Sequence, residues 1–185
     1  NTSPFAGREG KFVTARQIEE RLFKETNRDV SLKIERVPNE EQWIVSGRGE
    51  LHLSILIETM RREGFELQVS RPQVILKEID GVVCEPWEDV QVEAPDDTIG
   101  SVIESLGYRR GIMKNMTSHD GQTSVTYEVP SRGLIGFMTN FLTMTKGYGI
   151  ISHTFMDYRP AEGDTVGKRQ LGVLISIDQG QSTAY

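Results

Sequence analysis

Cysteine is nearly absent from this chain of 185 residues, and so are long apolar runs and an excess of positive charge. Cys84 is the single cysteine, so no disulfide forms within the chain, and a reducing cytoplasm is the expected compartment. No apolar run approaches the length of a membrane span, and the first residues lack the basic start and apolar core of a signal peptide. The net charge of −6 disfavours a dedicated nucleic-acid binder, although local clusters of cations can still meet phosphate.

One supersecondary unit occurs twice in the sequence. The residues around Arg48-Gly49 resemble those around Arg132-Gly133 at an offset of 84 residues, and a helical pattern recurs at the same offset. The second copy reads as β-α-β-β-α-β, which is the order of the ferredoxin-like unit. The first copy lacks only the opening strand, and residues 1–3 are interpreted as the end of that strand. We therefore predict an α+β chain with two tandem ferredoxin-like domains, the first lacking most of its opening strand.

Local patterns predict where several elements begin and end. Thr14 and Gln17 have the spacing of a capping box before the first helix. Gly64 is placed to end the second helix in the left-handed conformation, and the alternating apolar residues at 65–69 predict a strand after it. Short carboxylate and hydroxyl side chains at 95–98 predict side-chain capping of a further helix. A turn at 118–121 predicts a hairpin.

These elements divide the chain into three parts. Residues 1–72 form the first predicted ferredoxin-like domain and residues 73–162 the second. Residues 163–185 include a strong strand pattern at 171–177 and are predicted to open a third, β-rich domain.

No nucleotide, metal or catalytic site is predicted within this chain. The loops at 7–12 and 163–169 contain glycines and a lysine, but the glycine spacing and the missing hydroxyl residue exclude a phosphate loop of Walker type. Both loops are interpreted as glycine-rich turns. The three histidines and Cys84 share no spacing of metal ligands.

Cations cluster in the second unit at Arg109, Arg110 and Lys114. Together with Arg132 in the loop before the last helix, they are the candidate contacts of this unit with RNA phosphate. In a unit of this topology the two segments can also lie at opposite ends of the sheet, which would separate Arg132 from the others. Arg48 and Arg132 each precede a glycine where a strand turns into a helix, so each arginine is predicted either to reinforce an anion site or to cover the end of the sheet.

The sequence resembles the BipA/TypA family of translational GTPases over essentially its whole length. The first unit resembles domain III of that family through NTSPF at 1–5, GKFVT at 10–14, SGRGELHL at 46–53, MRREGFEL at 60–67 and VSRP at 69–72. The second unit resembles domain V through PSRGLIGF at 130–137 and TMT at 143–145, and the tail from residue 170 resembles the start of a family-specific C-terminal domain.

The resemblance implies a ribosome-stimulated GTPase whose G domain, with GTP and magnesium, lies upstream, so that this part is non-catalytic and holds no cofactor. It implies that domain III relays the nucleotide state, with Arg48 and His52 as candidate relay residues. Domain V is implied to dock on rRNA and the proteins of the stalk base. Roles in ribosome assembly, stress response and virulence regulation are also implied. The expected partners are the ribosome and the protein's own G domain and C-terminal domain, with a monomeric state and no membrane.

Two functions from other classes compete with this interpretation. Tandem ferredoxin-like units also occur in ACT-like modules that sense small molecules, where a ligand between the units would be expected. Acylphosphatases use the same fold, but their glycine-rich loop with a phosphate-binding arginine has no match in this sequence.

Overall fold

The computed structural model describes residues 4–162, and the chain divides into two compact units, Asn1–Pro72 and Gln73–Tyr185. The predicted opening strand at 1–3 and the predicted third domain at 163–185 lie outside the described residues. Each unit is described by itself below.

The first unit packs two helices against a two-stranded antiparallel sheet. Its elements are α1 (Ala15–Thr26), β1 (Lys33–Arg36), β2 (Trp43–Ser46) and α2 (Glu50–Arg62). The predicted capping box is confirmed, because the Gln17 amide donates to Thr14 Oγ1 and the Thr14 amide donates to Gln17 Oε1. Apolar positions at helical spacing then bury one face of each helix, and the core consists of Ile18, Leu22, Leu32, Leu56 and Met60.

The end of α2 is as predicted, but the strand after it is not. Gly64 has a φ of +92°, its amide donates to Arg61 O at 2.9 Å, and the Phe65 amide donates to Met60 O at 3.0 Å. These bonds form a Schellman motif. The predicted strand at 65–69 is wrong, since only Phe65 makes a bridge, in parallel with Phe12. The segment around Phe12 turns into α1 almost at once, so residues 67–69 have no neighbouring strand within the described residues 4–162.

The second unit is a ferredoxin-like sheet with its helices on one face, as predicted. Its elements are β3 (Lys77–Ile79), β4 (Val82–Pro95), α3 (Ile99–Tyr108), β5 (Ile112–His119), β6 (Gln122–Pro130), α4 (Ser131–Leu134), α5 (Phe137–Met144) and β7 (Ile150–Pro160). The strands run in the order β7-β4-β6-β5 and every neighbouring pair is antiparallel. The short strand β3 pairs with the start of β4 and was not predicted.

Alternation in the two central strands builds the core of this unit. From Val90 to Ala94 in β4 and from Thr123 to Val129 in β6, every second residue is buried against the helices, and the residues between them are polar and more exposed. The buried cluster consists of Val90, Val92, Ala94, Ile99, Val102, Leu106, Val125, Tyr127, Val129, Phe137 and Phe141. Burial of each large apolar side chain contributes about 1.5–3 kcal/mol, so this cluster is the main source of stability.

Two hairpins close through Asp-Gly pairs with positive φ at both residues. Asp120 and Gly121 have φ angles of 51° and 80° between β5 and β6, where the hairpin was predicted, and Asp80 and Gly81 have 53° and 77° between β3 and β4. Such a two-residue turn matches the twist of the strands that it joins.

Helix α3 begins without the predicted side-chain cap. Thr98 at its N-cap makes no capping hydrogen bond, and its hydroxyl donates instead to Pro95 O at 3.0 Å. Asp96 accepts from Thr123 Oγ1 at 2.6 Å and from Ser118 Oγ at 3.2 Å, so its carboxylate braces the β5–β6 hairpin. The capping prediction is therefore wrong, because the Asp96 carboxylate accepts hydrogen bonds from the hydroxyls of Thr123 and Ser118 and not from the first amides of α3.

Helices α3 and α5 end like α2, but with a lysine or arginine at the left-handed position. In α3 that residue is Arg110, with a φ of 63°, and the Gly111 amide donates to Leu106 O at 2.8 Å. In α5 it is Lys146, with a φ of 53°, and the Gly147 amide donates to Leu142 O at 2.8 Å. Both ends are Schellman motifs without the usual glycine.

Candidate functional site

The end of α3 and the loop after β6 lie at the same end of the sheet. Arg109 Nη1 donates to Gly133 O at 2.6 Å and to Ile135 O at 3.3 Å, and its guanidinium lies 5.2 Å from the centre of the Phe137 ring. Burial lowers the pKa of Arg109. Gly133 packs so closely that a Cβ there would lie 2.7 Å from Arg109 O. Arg109 therefore joins α3 to the segment between β6 and α5.

Arg132 in the same loop pairs with a buried carboxylate. Its Nε lies 2.5 Å from Glu85 Oε2 and its Nη2 3.1 Å from Glu85 Oε1, while Glu85 is only 1% exposed. The Nη2 contact is a hydrogen bond, and the Nε contact adds the attraction of a close ion pair. The anion that Arg132 meets is thus a side chain of the protein itself. Helix α4, which contains Arg132, has only four residues, so its dipole is small.

Arg110 completes a cluster of three arginines. Its Nη1 donates to the carbonyl of Glu162, and Arg132 Nη2 donates to the same carbonyl at 2.9 Å. Arg110 Nη2 also lies 3.4 Å from Glu162 Oε2. The structure therefore brings Arg132 close to Arg109 and Arg110, and the alternative that they lie at opposite ends of the sheet is not the observed geometry.

Lys114 has a different environment on the face of the sheet away from the helices. It lies in a bulge of β5, and its Nζ is 3.0 Å from Glu128 Oε1. Arg159 Nη1 lies 2.7 Å from the other oxygen of that carboxylate. The hydrogen bonds from Arg159 and Lys114 lower the pKa of Glu128.

The four candidate contacts thus divide by exposure. Arg132 is mostly buried and Arg109 is half-buried, and both hold parts of the fold together. Arg110 and Lys114 keep 37% and 49% of their side chains exposed. Arg110 pairs with the exposed Glu162, and Glu128, the partner of Lys114, is also held by Arg159. Their guanidinium and ammonium groups are therefore the two that can turn toward phosphate.

In the first unit, His52 fixes the loop that carries Arg48. The Arg48 amide donates to His52 Nδ1 at 3.2 Å, so Nε2 carries the ring hydrogen and donates to Asp29 Oδ2 at 2.6 Å. The hydroxyl and amide of Ser31, followed by His52, hold the pKa of Asp29 at about 2. His52 thereby joins the start of α2 to the turn after α1.

Arg48 itself is exposed, and its guanidinium has no hydrogen bond or ion pair with any residue in the described range 4–162. On the following helix α2, Leu51 and Ile55 are 74% and 58% exposed. A free cation beside exposed apolar side chains is typical of a surface that contacts another domain.

Two contacts of charged side chains were missed from the sequence. The amides of Gly7, Glu9 and Gly10 all donate to Glu66 Oε2, so the glycine loop that imitates a phosphate loop binds a carboxylate. Glu88 accepts from His153 Nδ1 at 2.5 Å. Burial raises the pKa of Glu88, but the bonds from His153 and Ser131 outweigh it and the net pKa is lowered. Partners 57 and 65 residues apart leave no spacing signal.

Within residues 4–162 no three His, Cys, Asp or Glu side chains lie together as potential metal ligands, and no helix in that range is long and apolar enough to cross a membrane. The second loop that imitates a phosphate loop, at 163–169, lies outside the described residues.

Comparison with known proteins matches both units to elongation factor G. The family model "Elongation Factor G, domain III" matches residues 13–71, and the model "Elongation factor G C-terminus" matches residues 82–169. The crystal structure of a Thermus thermophilus protein covers 83% of this chain and 40% of its own, with a TM-score of 0.56 and 18% identity, which bears on the fold alone. The fold and these matches define a tandem pair of elongation factor G-type domains.

Relatives narrow this class to one family. "Large ribosomal subunit assembly factor BipA" of Bacillus subtilis (strain 168) is 58% identical over 100% of this chain and 30% of its own length. The proteins of the same name from Synechocystis and Escherichia coli (strain K12) are 50% and 53% identical over the whole chain, and each is covered to 31%. The chain belongs to the BipA/TypA family, and it spans about a third of the length of these relatives. The ACT-like alternative is not favoured by these matches.

Proposed function

We propose that this chain is the ribosome-docking and interdomain-relay part of a longer, ribosome-associated translational GTPase that acts in assembly of the large ribosomal subunit. The observation that carries the proposal is 58% identity along the whole chain to a relative named as a large-subunit assembly factor. The matches to elongation factor G domains support it independently. The GTP and magnesium sites belong, in this proposal, to a G domain outside the chain, and this part performs no hydrolysis itself.

Docking is assigned to the second unit. Arg110 and Lys114 are proposed to contact rRNA phosphate near the stalk base, because they are the exposed members of the four candidate cations. Arg109 and Arg132 are proposed to support that surface from behind, since they fasten α3 and the loop after β6. Phosphate contacts position a protein on RNA without reading its sequence, which suits a factor that recognises one large particle by shape.

The relay is assigned to the first unit. Arg48 is proposed to contact the G domain, with Leu51 and Ile55 supplying the apolar part of that surface. His52 holds the Arg48 loop through its bond to the Arg48 amide. The protein is proposed to act as a monomer in the cytoplasm, where ribosomes are found.

Ribosome co-sedimentation of the full-length protein across a salt series tests the docking proposal. If Arg110 and Lys114 meet phosphate, the double variant Arg110→Ala/Lys114→Ala binds more weakly at low salt. The slope of log affinity against log salt also falls by about one unit for each lost contact.

The matched control is Arg61→Ala/Arg62→Ala, which removes two arginines that pair with Glu58 at the end of α2. It should leave the slope nearly unchanged. Equal slopes for the wild type and the Arg110/Lys114 variant would remove these two residues from the docking surface.

A further inference from the structure

The glycine loop before α1 binds the carboxylate of Glu66 as an anion. Three amides converge on one oxygen, with distances to Glu66 Oε2 of 2.9 Å from Gly7, 3.4 Å from Glu9 and 3.1 Å from Gly10. The Arg8 amide between them donates to Phe5 O instead. Backbone amides that converge on one point form a nest, whose partial positive charge suits an oxyanion. Bonds from amides to an ionised carboxylate are stronger than bonds between neutral groups.

The backbone continues this contact on both sides of the carboxylate. The amides of Lys11 and Phe12 donate to Gly64 O at 2.9 and 3.1 Å, and the Glu66 amide donates to Phe12 O at 3.1 Å. The rings of Phe12 and Phe65 lie 4.9 Å apart. A Cβ at Gly10 would lie 2.7 Å from Glu66 Cβ, so only glycine fits against this side chain.

Together these bonds hold residues 7–12, which lead into the first unit, against residues 64–66, which lead out of it; we call this contact the clasp. Residues 7–12 precede α1 and therefore follow whatever lies upstream, while residues 64–66 follow α2 and lead toward the second unit. The backbone bonds reach only as far as Lys11. Glu66 extends the clasp by a further four residues, to Gly7.

We propose that Glu66 is a positioning residue that couples displacements of the upstream part of the protein to the segment leading downstream. The proposal rests on the proposed function, because it names the residue through which the relay passes. With the carboxylate in place, residues 7–10 and 64–66 move as one body. Without it, the loop at 7–10 moves independently and the upstream displacement is absorbed there.

The test uses the full-length protein with Glu66→Ala, and with Glu9→Ala as the matched control, since that variant removes an exposed carboxylate from the same loop. Hydrogen exchange of residues 7–10 should accelerate in Glu66→Ala only. Ribosome-stimulated GTP hydrolysis should fall by about 2- to 30-fold, the range in which such coupling is usually altered. Hydrolysis without ribosomes and ribosome co-sedimentation should stay at wild-type levels.

Formate provides a rescue that a general loss of structure would not show. Added formate should enter the emptied nest of Glu66→Ala and restore both exchange protection and stimulated hydrolysis, whereas chloride of equal ionic strength should not. Glu66→Gln keeps the volume of the side chain and one acceptor oxygen. Its exchange rate at residues 7–10 and its stimulated hydrolysis should lie between those of wild type and Glu66→Ala. This variant keeps the test valid if Glu66→Ala fails to fold.

Stimulated hydrolysis at the wild-type rate in Glu66→Ala and Glu66→Gln, with the loop exchanging freely, would overturn the proposal while leaving the proposed function intact. A wild-type protein that neither sediments with ribosomes nor hydrolyses GTP faster with them would instead overturn the proposed function.

Discussion

Glu85 shows how much one residue can depend on another in this protein. Its side chain is 1% exposed, and the two oxygens of its carboxylate meet the Arg132 guanidinium. A buried carboxylate without a partner destabilises the fold, because no ion pair or hydrogen bond offsets the cost of removing its charge from water. The stability of the second unit is therefore tied to Arg132.

We expect Arg132→Met to destabilise the second unit by about 3–5 kcal/mol, because it leaves the Glu85 charge buried and unpaired. The double variant Glu85→Leu/Arg132→Met should recover most of that loss. Urea unfolding followed by Trp87 fluorescence in a Trp43→Phe background measures this, since Trp43 is the tryptophan of the first unit.

The matched control is Lys146→Met, which breaks the exposed pair with Asp97 and should cost less than about 1 kcal/mol. Similar losses from Arg132→Met and Lys146→Met would contradict the dependence of Glu85 on its partner.

A second residue-scale prediction concerns pH. The hydrogen bond to Glu88 raises the pKa of His153, and the pKa of Glu88 is lowered. The contribution of His153 is full below about pH 6.5 and is lost as the pH rises through its folded pKa. The contribution of Glu88 is full above about pH 4.3 and is lost as the pH falls through its folded pKa.

The pair therefore stabilises most between about pH 4.3 and 6.5. His153→Gln should cost about 0.2–1 kcal/mol in that window, and the difference should shrink toward alkaline pH. Thermal unfolding of wild type and variant across pH tests this, with His119→Gln, at the exposed end of β5, as control. A difference that grows at alkaline pH would have the wrong sign for this pair.

At the scale of elements, three helices end in the same motif with different residues at its left-handed position. Gly64 adopts a positive φ without strain, whereas Arg110 and Lys146 adopt it with a side chain attached. Arg110 has its bonds to Glu162 in compensation, while the Lys146 side chain reaches only an exposed carboxylate.

Lys146→Gly should accordingly stabilise the second unit by about 1 kcal/mol, and Gly64→Ala should destabilise the first unit by a similar amount. Arg110→Gly should gain less than Lys146→Gly because it also loses its contacts with Glu162. Urea titrations that follow Trp87 for the second unit and Trp43 for the first measure all three. A loss of stability in Lys146→Gly would show that the left-handed residue is not strained.

Helices and strands were predictable from the sequence where burial of one face makes apolar residues recur at a regular spacing. Val90 and Val92 in β4 and Val125 and Tyr127 in β6 alternate because one face is packed and the other is not. The three residues of β3 are all exposed, so no such signal marks them. The strand predicted at 65–69 failed because alternation does not reveal whether a partner strand exists.

The sequence predicted which residues belong to the candidate site better than it predicted what each of them contacts. Density of charge along the chain singled out Arg109 and Arg110, but their acceptors lie 24 and 52 residues away. Pairings such as Glu85 with Arg132 or Glu66 with the glycine loop come from the folded backbone alone. Whether Arg110 and Lys114 touch RNA stays a prediction.

For the whole molecule, the two compact units each have a core of their own. Residues from about 11 to 70 and from about 85 to 158 are therefore expected to fold without each other. Arg132→Met should lower the urea midpoint reported by Trp87 and leave the midpoint reported by Trp43 unchanged. A single transition that shifts for both tryptophans would show that the units unfold together.

The bulge in β5 has a consequence for solubility. Among the strands of residues 4–162, β5 is the last in the order of its sheet, and it exposes Ile112, Met113 and Met116. A long, flat, apolar strand at a sheet edge is a template on which further copies of a chain aggregate. The bulge interrupts the regular hydrogen-bonding register of β5 and places the charge of Lys114 at the interruption. The strand is thereby protected against self-association by the same lysine that we propose for docking.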